Sequence, residues 1–266
     1  MKKELIFILC LFMILGIVHA APAFGNAVYL DGNGDYLSIP DNNDWDFGNG
    51  DFTIDLWFLP TLVNPPQGLV TANSDFELKV VTSNNEIAFS AWDTNNTRHN
   101  HFYGDIVVLN DLLNEWHHLA LVRSSNTLNL FVDGTLKVSE SITYTFKNVD
   151  NPLLIGTNAR VGNSFQGYLD EVRVTKGNAR WTSNFTPLGT PYDTDENTKL
   201  LLHLENFTDS SAQQHLVQAY GDAGIQINQG PQGYGAEVPE PMTIIFLCLG
   251  FVIYWKKFNN TGQNNS

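Results

Sequence analysis

Between residues 27 and 204 apolar and polar positions alternate in short runs, and no helical spacing of useful length interrupts them. FTIDLWF (52–58) is the clearest run: Phe52, Ile54, Leu56 and Phe58 fall on one face, Thr53, Asp55 and Trp57 on the other. Successive side chains of a strand point to opposite faces, so this alternation predicts a strand with one face turned to a core. FELKVV (76–81), EIAFSAW (86–92), WHHLALV (116–122) and LNLFV (128–132) have similar lengths and are rich in β-branched and aromatic residues. Turn signals separate them at DGNGD (31–35), GNGD (48–51), SNNE (83–86) and Asp133-Gly134. The last is the strongest hairpin signal, because both residues tolerate positive φ. Many short strands with regular turns predict an all-β chain folded as an antiparallel two-sheet sandwich.

The two ends depart from this pattern and predict apolar helical segments. Lys2 and Lys3, an apolar stretch from Leu5 to Val18 and small residues at Ala20 and Ala21 have the three-part layout of a signal peptide over 1–20, cleaved after Ala20. Near the other end, VPEPMTIIFLCLGFVIYWKK (238–257) sets an apolar run from Thr243 to Trp255 between Pro239-Glu240-Pro241 and Lys256-Lys257. As a helix that run reaches only ~20 Å of a ~30 Å bilayer core. The two lysines put the C-terminus in the cytoplasm, and a polar tail, 258–266, follows.

This ending resembles the PEP-CTERM sorting signal of Gram-negative bacteria. Two lysines stand where that signal usually has an arginine cluster. The resemblance implies an exported protein of the cell surface or extracellular matrix, held in the inner membrane through its C-terminal segment until an exosortase-type enzyme processes it.

Charge narrows the partners. The chain has 14 basic and 28 acidic residues; setting aside Lys2, Lys3, Glu4, Lys256 and Lys257 leaves 10 against 27 in the exported part. That field argues against nucleic acid and anionic lipid as partners and favours cations or neutral glycans; the alternative is a solvated acidic surface with no binding role. The two cysteines, Cys10 and Cys248, lie in the terminal segments, so the body has no disulfide. Some two hundred residues can bury a core without one.

Three blocks then become recognisable: AVYLDGNGDYLSIPDNNDWDFGNGDFTIDLWFLP, NEWHHLALVRSSNTLNLFVDGTLKV and FQGYLDEVRVTKGNARWTSNFTP. In this order, over about residues 24 to 192, they resemble a laminin G-like domain of the concanavalin A-like lectin and glucanase superfamily. The resemblance implies a two-sheet jelly roll over 24–234. It does not fix function, because the fold hosts lectins, glycosidases and adhesive modules. The segment 199–226, beginning KLLLHL, resembles what in many such domains precedes the first block. Either it is the stump of a second repeat, which would leave the apolar face of KLLLHL in water, or it supplies the first strands of the same sandwich in permuted order.

Candidate chemistry is sparse. Glucanases of the superfamily carry Glu-x-Asp-x-Glu on one strand, which sets nucleophile and acid on the same face. This chain has no such run, and no Gly-x-Ser-x-Gly, His-Glu-x-x-His or phosphate-binding glycine loop. No catalytic residue and no enzymatic activity are therefore expected. DGNGDY fails as an EF-hand because Tyr36 and Asn42 stand where Gly and Glu are required, and a glycine-rich hairpin turn is expected there instead. The resemblance makes Asp170 in GYLDEVRV a candidate ligand of a structural calcium; the alternative is a carboxylate that only bonds neighbouring backbone. His117 and His118, adjacent on a strand, face opposite ways and are expected to be packed structural residues.

The most distinctive surface candidate is WDTNNTRHNHFYGD (92–105). It offers Trp92 and Tyr103 for stacking on sugar rings and Asp93, Asn95, Arg98, His99 and His101 for hydrogen bonding. The leading expectation is a non-catalytic surface or matrix-associated module that binds an extracellular glycan or a surface protein. The alternatives are a structural matrix or envelope component without a ligand site, and a glycosidase of the same fold.

Overall fold

The structure, a computed structural model, describes residues 24–62, 67–73, 75–81, 86–102, 109–158 and 164–231, all within the compact unit Pro22–Gly235. The segments expected to form the signal peptide and the terminal apolar helices, with Pro239-Glu240-Pro241 and Tyr103, lie outside the described residues. Among the described residues no helix is long and apolar enough to cross a membrane.

In chain order the strands are β1 (Ala27–Asp31), β2 (Tyr36–Ile39), β3 (Phe52–Leu62), β4 (Gln67–Ala72), β5 (Phe76–Val81), β6 (Glu86–Trp92), β7 (Arg98–His101) and β8 (His117–Ser124). They continue with β9 (Thr127–Val132), β10 (Thr135–Ser141), β11 (Leu153–Ile155), β12 (Gln166–Lys176), β13 (Thr198–Leu202), β14 (Gln218–Tyr220) and β15 (Gly224–Gln226). One antiparallel sheet runs β10-β9-β8-β3-β12-β1-β15, with β13 also on β12; the other runs β14-β2-β11-β4-β5-β6-β7. The core between them takes Phe52, Ile54, Leu56 and Phe58 from β3, Leu78 and Val80 from β5, and Ile87, Phe89 and Ala91 from β6. The fold class is the predicted jelly-roll-type sandwich.

Asp133 and Gly134 have φ of 51° and 69° and close the β9–β10 hairpin, with Val132 opposite Thr135. The DGNGD stretch is different: it forms no hairpin, because β1 and β2 belong to different sheets. Asp35, 1% exposed, is the tie at that corner. It accepts from Asp31 N at 2.9 Å and also from Asp222 N, joining the β1–β2 crossing to the β14–β15 crossing.

The chain after Tyr192 takes part in both sheets. β13 and β1 lie end to end along one edge of β12, β15 pairs with β1 and β14 with β2. Leu200, Leu202 and Leu204 enter the central core. Asp209 fixes the loop that follows by accepting from the backbone N–H groups of Leu201, Ser211 and His215 at 3.0, 2.9 and 2.9 Å.

The outer face of the first sheet is also covered. Thr53, Asp55 and Trp57 are buried; Tyr192 packs with Trp57, and Trp181 and Phe185 pack on Ala120, Val122 and Phe131. Asp55 receives Nε and Nη2 of Arg173 at 3.0 and 2.8 Å, and His118 Nε2 lies 3.6 Å away. Burial works against the Asp55 charge, but Arg173 and His118 hold the carboxyl below its usual range. His118 is thus a packed residue over this pair, while His117 bonds Asp133 Oδ2 at 2.7 Å.

Candidate functional site

The outer face of the second sheet carries the polar residues that β-alternation turns away from the core. Strand register brings Ser38, Leu154, Thr71, Glu77, Ser90 and Asn100 into one row across β2, β11, β4, β5, β6 and β7. At ~4.8 Å per strand the row is about 24 Å long. Its β5–β7 end is a bonded network. Glu77 Oε2 receives Lys79 Nζ at 2.6 Å and Arg98 Nη2 at 3.2 Å. Arg98 Nη2 also donates to Ser90 Oγ at 3.1 Å, and Ser90 Oγ lies 3.1 Å from Asn100 Oδ1.

The Arg98 guanidinium stands 5.0 Å from the centroid of the Trp92 ring, a cation–π contact that fixes both groups. A wall rises over β4, where Thr71 Oγ1 donates to Thr157 O at 2.8 Å. Gly68 permits that approach, because a Cβ there would come within 2.1 Å of Thr157 O.

The structure divides the predicted loop residues. Trp92 and Arg98 lie on this outer face. Asp93 is taken up in holding the turn: Oδ1 accepts from Asn95 N and Thr97 N at 2.8 and 2.9 Å, and Oδ2 pairs with His99 Nε2 at 3.0 Å. His99 and the two backbone donors hold the Asp93 carboxyl below its usual range. Asn95 sits exposed at the loop tip. His99 stacks on Tyr144 at 3.7 Å. His101 is buried, pairing through Nδ1 with Glu140 Oε2 at 2.7 Å and through Nε2 with the Tyr144 hydroxyl. Sequence reasoning missed Glu77, Lys79, Ser90 and Asn100. Their signal was their outward parity in β5, β6 and β7.

Asp170 lies where β12 bulges. Two steps on β3, from Trp57 to Asp55, match three on β12, from Asp170 to Arg173, and Glu171 takes φ 48°. Asp170 is 1% exposed. Burial, then Glu171 and Glu205, push its carboxyl up to about 9. Oδ1 accepts from Glu171 N at 2.8 Å. Oδ2 packs closely against Gly230, where a Cβ would lie 2.9 Å from both Oδ2 and the carbonyl carbon of Phe24, so the position has no room for a side chain.

Among the described residues no group of three or more His, Cys, Asp or Glu is arranged to hold a metal. A calcium here would rest on Asp170 and neighbouring backbone carbonyls, a donor set that suits its irregular oxygen coordination. The negative charge of Glu171 and Glu205 near Asp170 suits such an ion.

A laminin G family model, described as the concanavalin A-like lectin/glucanases superfamily, matches residues 31–180. The chain belongs to that superfamily. A comparison with curated proteins finds no match. Among solved structures, a protein from Bacteroides ovatus described as a candidate carbohydrate binder superposes with a TM-score of 0.59 at 14% identity, over 80% of this chain and 62% of that one. This chain therefore spans less than two thirds of that protein, and at such identity the likeness concerns the fold. Domains LG4-5 of the mouse laminin alpha1 chain give 0.44 at 19% identity, over 64% and 47%. The CBM40 of a Ruminococcus gnavus IT-sialidase gives 0.45 at 15%, over 59% and 92%.

Proposed function

We propose that this superfamily member is a non-catalytic binding module that holds an extracellular glycan on the outer face of its second sheet. The observation that carries this is the Trp92–Arg98–Glu77–Ser90–Asn100 network, an aromatic ring with bonded polar groups fixed on strands and a wall beside them. Glycan recognition needs directed polar groups and a flat apolar platform; here partly exposed Trp92 and exposed Arg98 and Asn100 form the accessible part, and Ser90, fully buried, supports them from beneath. The likeness to the Bacteroides ovatus protein accords with this reading.

The same face argues against hydrolysis. Outward positions of β6 are Glu86, Ala88, Ser90 and Trp92, one carboxylate on the strand. Glu77 faces Ser90, four residues along from Glu86, or ~13 Å by strand rise. Paired glycosidase carboxylates stand ~5–9.5 Å apart, and Glu77 is already bound to Lys79 and Arg98. In a glycan-array screen the purified body should bind, and Trp92→Ala or Arg98→Ala should weaken binding about tenfold or more. Unchanged binding by both variants would remove this face from the account.

We further propose that calcium stabilises the fold at Asp170, and that the protein works outside the cell. Export through residues 1–20 and processing near Pro239-Glu240-Pro241 by an exosortase-type enzyme accord with the sequence pattern of the ends. Without a cation, the raised Asp170 carboxyl holds a proton in the folded state that it releases in the unfolded state. Stability then falls as pH rises from about 4 toward 9. Calcium should reverse this loss, so chelation should lower Tm by several degrees at pH 8 in the wild type. In Asp170→Asn, chelation should leave Tm unchanged. Equal Tm with and without chelator in the wild type contradicts the calcium proposal.

A further inference from the structure

On the opposite side of the sandwich, the segment after β12 borders an open cavity of about 290 Å³ lined by Arg173, Asn178, Arg180, Trp181, Thr186 and Leu188. Two of the five arginines of this acidic chain meet there. Each is hydrogen-bonded through part of its guanidinium, and that of Arg173 also stacks 4.0 Å from the Tyr192 ring and lies 5.9 Å from that of Trp181. Arg173 uses Nε and Nη2 on Asp55. Arg180 uses Nε on Thr175 Oγ1 at 2.7 Å and Nη2 on Asp195 Oδ2 and Thr198 Oγ1 at 2.8 and 3.0 Å. Among the described residues neither Nη1 has a protein acceptor, although the Arg173 residue is only 3% exposed.

Two held guanidinium groups with free N–H donors suit a carboxylate better than a neutral acceptor. The charge of Arg173 is balanced inside by buried Asp55. That of Arg180 is balanced by Asp195, whose side chain is 40% exposed. Asp195 faces water on one side, where solvent screens the pair, so an incoming carboxylate can share Arg180 with it. Beside the arginines stand the Asn178 amide and the Thr186 hydroxyl. Trp181, stacked at 4.0 Å on Phe185, and Leu188, 52% exposed, supply an apolar border.

We propose that this cavity is a second binding site, specific for a hexuronic acid residue of an acidic glycan. The carboxylate would meet Arg173 and Arg180, and the ring would lie among Asn178, Thr186 and Trp181. The apolar border and neutral hydrogen-bonding groups favour a sugar ring over an acidic peptide, and the volume, near the small end of ligand pockets, suits one ring. The site lies on the outer face of the first sheet and is independent of the Trp92 face.

Calorimetric titration of the purified protein with a galacturonate trimer and a neutral galactose trimer tests it. The uronate trimer should bind and the neutral trimer should not. Asn178→Asp, which sets a like charge in the cavity, should weaken uronate binding at least tenfold with Tm unchanged. Asp195→Asn, which frees Arg180, should tighten it several-fold, and Trp92→Ala should leave it unaltered. Absence of uronate binding, equal binding of the neutral trimer, indifference to Asn178→Asp, or equal displacement by a hexaglutamate peptide would each overturn the proposal.

Discussion

A chain ending at Tyr192 is expected to show no cooperative thermal transition. Its loss removes β13, β14 and β15 and with them Leu200, Leu202 and Leu204, all fully buried. Burial of a leucine contributes ~1.5–3 kcal/mol, so the three side chains alone approach the ~5–15 kcal/mol by which a whole domain is stable. The cut also uncovers one edge of β12 and the free edges of β1 and β2, and it deletes Asp222, one of the two backbone donors to Asp35. A melt followed by circular dichroism checks this, with Leu202→Ala in the full chain as a milder counterpart expected to cost ~2–5 kcal/mol. A shortened chain melting sharply at the full-length Tm would show that the last strands are accessories.

Replacing Asp55 by alanine is the second large effect, at about 3–5 kcal/mol, because it strands the Arg173 guanidinium in a buried site. Removing both charges is expected to cost far less: Asp55→Ala combined with Arg173→Met should recover most of the loss, since neither charge is then left unpaired. The pH dependence has a definite sign. The folded Asp55 carboxyl titrates below its ordinary value of 3.8, so its contribution is complete above about pH 4 and disappears as pH falls through the folded value. Denaturant melts across pH should show a shallower acid loss in the single variant. A single-variant cost within ~0.5 kcal/mol would contradict this account of the buried pair.

The fate of FTIDLWF shows where sequence reasoning stops. Alternation placed Phe52, Ile54, Leu56 and Phe58 inward, and they are inward. The same alternation left Asp55 and Trp57 on a second face, with nothing local to show that Arg173 and Tyr192 bury it from far along the chain. DGNGD was read as a hairpin because glycine and aspartate announce a turn but cannot say whether the next strand stays in the same sheet. In the candidate site Trp92 and Arg98 stood out by residue type, whereas Glu77 and Ser90 looked like any solvent-facing strand position. His99 and His101 looked like ligand groups, but His99 is held through Nε2 by Asp93 and stacked on Tyr144, and both ring nitrogens of His101 are taken by Glu140 and Tyr144, partners that only the folded edge of the sheet supplies. Side-chain parity is written locally; what lies over a face is set by tertiary contact.

Amide chemical-shift mapping during titration with a neutral glycan drawn from the array is the most direct test of the central claim. The account predicts the largest shifts at the amides of Glu77, Ser90, Trp92, Arg98 and Asn100, and none at Asn178 or Trp181. Shifts centred elsewhere, with β5, β6 and β7 unmoved at saturation, would contradict it.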